Sequence, residues 1–156
     1  MKALKISLGL LLMVLLTNAY GKPHPPTEEI NANTICGKWM TSEKDLIVQI
    51  SLEGGSYKAK ILWMDTKGSK KPLNEWTDSK NPDPALRGRK VIGINALKDM
   101  HYEPETHTWS GGTIYDFRSG KEYNAAARID KNGLLQVRGF WHIRLLGKTL
   151  TFMRQS

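Results

Sequence analysis

Leu46-Ile47-Val48-Gln49-Ile50-Ser51-Leu52, Glu53-Gly54-Gly55 and Ser56-Tyr57-Lys58-Ala59-Lys60-Ile61-Leu62-Trp63 together decide the fold class. In the first limb Leu46, Val48, Ile50 and Leu52 alternate with Asp45, Ile47, Gln49 and Ser51, the period of a half-buried strand. In the second, Tyr57, Ala59, Ile61 and Trp63 share one face and Lys58 and Lys60 the other. The glycine pair between them supplies a tight turn, so the whole stretch reads as a β-hairpin.

Working outward, the same grammar continues in both directions. Towards the amino terminus, Gly37-Lys38-Trp39 opens a first strand. A glycine permits a tight backbone and the close approach of a neighbour. The indole two residues later is expected to turn inward and plug one end of the sheet's interior. Towards the carboxyl terminus, the last strand runs from Lys148 to Arg154. If first and last strands are neighbours, the Arg154 guanidinium can stack on the Trp39 ring and close a barrel. Between these limits, Val91–Ile94 and Gly112–Phe117 read as strands, with Lys98–Thr108 as a turn-rich connection. Tyr123–Ile129 and Leu135–Ile143 follow, separated by Asp130-Lys131-Asn132-Gly133. The expectation is an all-β fold, a single antiparallel up-and-down barrel of eight strands. Ala125, Ala127 and Gly139 on the presumed inner faces would leave room for a ligand.

Residues 1–21 carry Lys2 and Lys5, an apolar run from Ile6 to Leu16, and small residues beyond it, the pattern of a secretory signal peptide. Residues 22–35, with Pro23, Pro25 and Pro26, read as a flexible leader, and 36–156 as the barrel domain. About 135 residues remain after the signal, one domain's worth. The formal net charge of +8 falls to +6 once Lys2 and Lys5 are gone. An exported basic protein favours anionic partners such as phospholipid head groups, lipopolysaccharide or acidic glycans, and its compartment argues against nucleic acid. The single cysteine, Cys36, excludes an internal disulfide and leaves either a small buried hydrophobe or a free thiol able to join two chains. Nothing else in the sequence speaks to oligomeric state.

The chain also resembles known families. Gly37-x-Trp39 with a late basic residue, Arg154, is similar to the lipocalin and fatty-acid-binding-protein pattern, whose members carry small apolar ligands. A more specific likeness spans nearly the whole mature chain. It comprises Asn81-Pro82-Asp83-Pro84-Ala85-Leu86-Arg87-Gly88-Arg89, Gly93, Trp109-Ser110-Gly111-Gly112-Thr113-Ile114-Tyr115-Asp116, Gly120-Lys121-x-Tyr123, Val137-Arg138-Gly139 and Leu146-Gly147-Lys148-Thr149. These resemble the exported bacterial family catalogued as domain of unknown function 2147. That resemblance implies a lipocalin-like barrel and export, and no particular activity. Phe117 stands where the pattern has proline, and Phe152 where a tryptophan precedes the last arginine.

Two function classes follow. In the first, the barrel binds a small lipophilic molecule, with or without an anionic head. Tyr57, Trp63, Tyr115, Tyr123 and Trp141 would line the pocket, with Arg138 as a further candidate. Arg87 and Arg89, on the long proline-rich connection 65–88, would orient the head group. In the second, the barrel is filled and the 65–88 loop meets a protein or glycan as a peripheral contact at the cell envelope. Gly37, Trp39, Asn81, Asp83 and Arg154 are expected to be structural, with Asp83 capping a helical turn that starts at Pro84. His24, His101, His107 and His142 have no metal-site spacing, and Ser110-Gly111-Gly112 lacks the setting of a nucleophile elbow. No cofactor, metal or catalytic residue is expected.

Overall fold

A computed structural model describes residues 30–142 and 147–156, so the signal-peptide reading and most of the proposed leader lie outside the described residues. Eight antiparallel strands close on themselves in chain order: β1 (Gly37–Thr41), β2 (Leu46–Glu53), β3 (Ser56–Met64), β4 (Asn95–Glu103), β5 (Thr108–Asp116), β6 (Lys121–Ile129), β7 (Leu135–Phe140) and β8 (Lys148–Gln155). This is the expected up-and-down barrel. β1 pairs with β2 on one side and with β8 on the other, opposing Trp39 to both Val48 and Arg154.

The plug is built as the sequence suggests. Trp39 is fully buried, and its indole N–H donates to the Ile35 carbonyl at 2.8 Å. The Arg154 guanidinium lies 4.3 Å from the ring centroid and donates to the Cys36 and Thr34 carbonyls. Gly37 sits at φ +133°, and a Cβ there would come within 2.6 Å of Arg154 Nη1. The glycine therefore serves both the backbone angle and the arginine's approach.

Ile30–Ile35, assigned to the flexible leader from sequence, are part of the fold. A capped 3-10 turn, Ala32–Ile35, buries Ile35 completely, and Trp109 and Tyr102 donate to the Ala32 and Ile30 carbonyls. The prolines that suggested a leader all precede this segment. Cys36 packs partly buried against the same core, and burial pushes its thiol pKa up.

Two further boundaries differ from the sequence reading, both because bulges break the alternation. The fourth strand is Asn95–Glu103 rather than Val91–Ile94. β4 has an extra residue twice against β3, around Ala96 and around Asp99, which adopts φ 57°. Consecutive residues then face the same way, and the period-2 signal disappears. In β3, Ile47 opposes Trp63 while Val48 opposes Ile61, leaving Leu62 as the extra residue. That bulge turns Leu62 and Trp63 outward and buries Met64 instead.

The interior has two halves. Trp39, Trp109, Tyr57, Ile50, Met100, Leu135 and Phe152 fill the plugged half, and Ala125 and Ala127 make room for them there. A second cluster, Ile61, Met64, Val91, Ile94, Ala96, Tyr115 and Phe117, lies where the β3–β4 connection returns to the barrel.

Candidate functional site

In an up-and-down barrel the β1–β2, β3–β4, β5–β6 and β7–β8 connections all gather at one end. Here that end lies opposite the Trp39 plug and opens into a cavity of about 460 Å³. Its wall is apolar, from Leu46, Ile61, Ala96, Ile114, Phe117, Val137 and Leu150. Gly139 also lines it; a Cβ there would touch the Ile114 methyl at 3.1 Å, so the missing side chain enlarges the space. The rim is polar: Asp45, Lys67, Asp116, Arg118 and Lys148. A volume of this size falls within the usual small-molecule range of roughly 300–1,000 Å³.

The two rim acids are already engaged. Asp45 accepts from the Thr41 hydroxyl at 2.7 Å, and Asp116 accepts from the Ser119 hydroxyl at 2.6 Å and the Arg118 amide at 3.0 Å. The three rim cations have no ion-pair partner among the described residues, where the pairs are Lys60–Glu53, Arg89–Asp78 and Lys98–Glu122. Arg118 instead packs on the Phe117 ring, 5.0 Å from its centroid. An apolar well with unneutralised cations at its entrance suits an amphiphile whose charged end stays at the surface.

Of the residues expected to bind a ligand, Tyr115 and Tyr123 line this cavity. Trp141 stands beside it, mostly exposed, with its ring edge-on to Tyr123 at 5.6 Å. The others sit elsewhere. Tyr57 lies edge-on to Trp109 at 6.4 Å in the filled half, on the plug side of the cavity. Trp63 faces out because of the Leu62 bulge. Arg138 borders a shallow groove on the outer face of β6–β8 and donates to the Thr149 hydroxyl, since its neighbours Val137 and Gly139 take the inner face.

Arg87 and Arg89 are absorbed by their own loop. Asp78 is completely buried and accepts from the Tyr115 hydroxyl at 2.6 Å, the Asn81 amide at 2.7 Å and Arg89 at 2.8–2.9 Å. Arg87 donates to the Asn81 carbonyl at 2.8 Å. Asp83 caps the turn Pro84–Leu86 as expected, accepting from the Ala85 amide. A buried carboxylate requires charge and hydrogen bonds around it, and Asp78 draws the loop together to obtain them. It pins the β3–β4 connection onto β5 and frames one side of the cavity.

A family model described as "Uncharacterized protein conserved in bacteria (DUF2147)" matches residues 37–154. The chain belongs to this family. A solved structure, "Protein HP1028 from the human pathogen Helicobacter pylori", is described as belonging to the lipocalin family. It is 29% identical to this chain, covers 78% of it and 82% of its own length, and has a TM-score of 0.65. No curated protein matches the chain. The DUF2147 barrel is thus lipocalin-like, an architecture generally associated with small hydrophobic ligands.

Sequence reasoning missed Lys67, Arg118 and Lys148. Each lies in or next to a connection at the same end of this DUF2147 barrel, and strand parity was the signal that could have grouped them. It also undervalued Tyr115, whose hydroxyl does structural work. Burial, then the bond to Asp78, pushes the Tyr115 pKa from 10.0 up to about 12. A raised pKa favours the neutral phenol in the folded state, so this contribution is complete below pH 10 and lost as pH rises towards 12. Tyr115→Phe is therefore expected to be about 1–2 kcal/mol less stable than the natural protein at pH 8. The gap should narrow between pH 10 and 12, as read by urea unfolding at each pH. A gap constant with pH would contradict this.

Proposed function

We propose that this protein binds a small lipophilic molecule with an anionic head group, non-covalently, in the cavity at the open end of the barrel. The observation that carries the reading is the apolar well of about 460 Å³ rimmed by Lys67, Arg118 and Lys148. The apolar tail would lie against Ile61, Ile114, Val137 and Leu150, gaining about 0.8 kcal/mol per buried methylene. The head would stay at the rim, where exposed cations contribute modestly and are screened by salt. Export, supported by the amino-terminal sequence, would place this binding outside the cytoplasm. The unfilled half of the interior favours binding inside the barrel over the filled-barrel reading.

Dodecanoic acid and dodecanol make a matched pair of probes, followed by isothermal titration calorimetry. The acid is expected to bind about tenfold more tightly, equivalent to about 1.4 kcal/mol. Arg118→Gln combined with Lys148→Gln should erase that preference while dodecanol binding holds. Leu150→Trp, which fills the well, should abolish binding of both. Retained binding in Leu150→Trp would place the ligand elsewhere, and an acid preference surviving the double variant would remove Arg118 and Lys148 from recognition.

A further inference from the structure

The open end carries a second pattern that the cavity does not use. Five large hydrophobic side chains are exposed among the described residues: Leu52, Leu62, Trp63, Leu86 and Trp141. All but Leu52 lie at the open end. Trp63 is next to last in β3 and Trp141 follows β7; both strands run towards the mouth from walls four strands apart. The two indoles therefore flank the opening on opposite sides. Trp63 and Leu62 are outward because of the bulge, a local backbone feature that exposes two apolar residues where regular pairing would expose one.

Charge follows the same axis. The described connections at the open end hold Lys44, Lys67, Lys70, Lys71, Lys80, Arg87, Arg89, Lys90 and Arg118 against six acids, one of them the buried, paired Asp78. The connections at the plugged end hold Glu105, Asp130 and Lys131. The barrel is basic and apolar-studded at the mouth, whereas at the plug Glu105 and Asp130 are balanced by Lys131 and Arg154.

We propose that the open end docks on an anionic lipid surface. Tryptophan is suited to the boundary between head groups and acyl chains, where its ring is half wetted and its N–H stays bonded. Basic side chains around it add attraction to anionic lipid, and the two signals together give reversible peripheral binding where either alone is marginal. A globular protein partner would be met by a contiguous apolar patch. Here the apolar side chains are spaced around an opening and separated by lysines, the arrangement a fluid surface accommodates. Docked in this way, the mouth of the cavity faces the membrane. The inference does not depend on the cavity's contents.

The test is co-sedimentation of the mature protein with vesicles of phosphatidylglycerol and phosphatidylethanolamine, beside vesicles of phosphatidylcholine alone. Binding is expected to the anionic vesicles only, and to be lost at high salt. Leu62→Ser with Trp63→Ser, and separately Lys70→Gln with Lys80→Gln, are each expected to weaken it several-fold or more. None of these residues lines the cavity, and an unchanged melting temperature and far-ultraviolet circular dichroism spectrum report that the variants are folded. Three results would overturn the proposal. These are equal binding to both vesicle types, no binding to either, or binding unchanged in both double variants. Attachment only to vesicles that also carry membrane proteins would replace the lipid surface with a protein partner and overturn it too.

Discussion

Trp39→Ala is expected to lower stability by about 3–5 kcal/mol and to leave dodecanoic acid binding at the mouth unchanged. Trp39 is one of two fully buried tryptophans of the plugged half, packed in one cluster with Ile35, Val48 and Phe152. Truncation leaves a cavity there that the closed sheet cannot collapse around. It also frees the Ile35 carbonyl from its donor and strips Arg154 of the ring beneath it. Those losses reach the β1–β8 seam, the pairing that closes the barrel. For a domain of this size the melting temperature should fall on the order of 10–20 °C. The ligand site draws its residues from the other end. A variant that kept its melting temperature yet lost the ligand would mean that the plug is the binding site.

Asp78→Ala comes second, at about 2–4 kcal/mol. The alanine leaves the Tyr115 hydroxyl and Asn81 amide without their acceptor in a buried setting, and Arg89 without its charge partner. Arg89 is partly exposed and can recover water, which keeps the loss below that of a fully buried pair. The damage should be local first. Asp78 and Arg89 hold the two limbs of the β3–β4 connection together, with the Asp78 amide donating to the Arg89 carbonyl. Amide hydrogen exchange across residues 76–94 should accelerate well before the barrel strands respond. Uniform acceleration throughout the chain would show that the connection and barrel are one cooperative unit. Exchange unchanged at 76–94 would contradict the anchoring role.

The fold was legible in the sequence wherever alternation was unbroken. The Leu46–Trp63 hairpin, the Tyr123–Ile129 strand and the Trp39–Arg154 seam could all be read from residue type and period. It became illegible at the bulges. An extra residue at Leu62 reversed the facing of Trp63, and two in β4 hid a nine-residue strand inside an apparent loop. The site was half legible for a related reason. Tyr115 and Tyr123 could be picked out as aromatics on strands. Choosing among the cations required knowing which connections meet at one end and which arginines are already taken. Arg87 and Arg89 looked suited to an anion, but the buried Asp78 carboxylate and the Asn81 carbonyl claim them first. Lys67, Arg118 and Lys148 are scattered over more than eighty positions and become a group only when the barrel closes.

The most direct test of the cavity's role is methyl chemical-shift mapping of isoleucine, leucine and valine side chains during titration with dodecanoic acid. The predicted result is movement of the Ile61, Ile114, Val137 and Leu150 methyls, which line the cavity, with Ile35, Ile50 and Leu135 in the filled half unmoved. Shifts confined to the filled half or to the outer face, or none at saturating acid, would contradict binding at the open end.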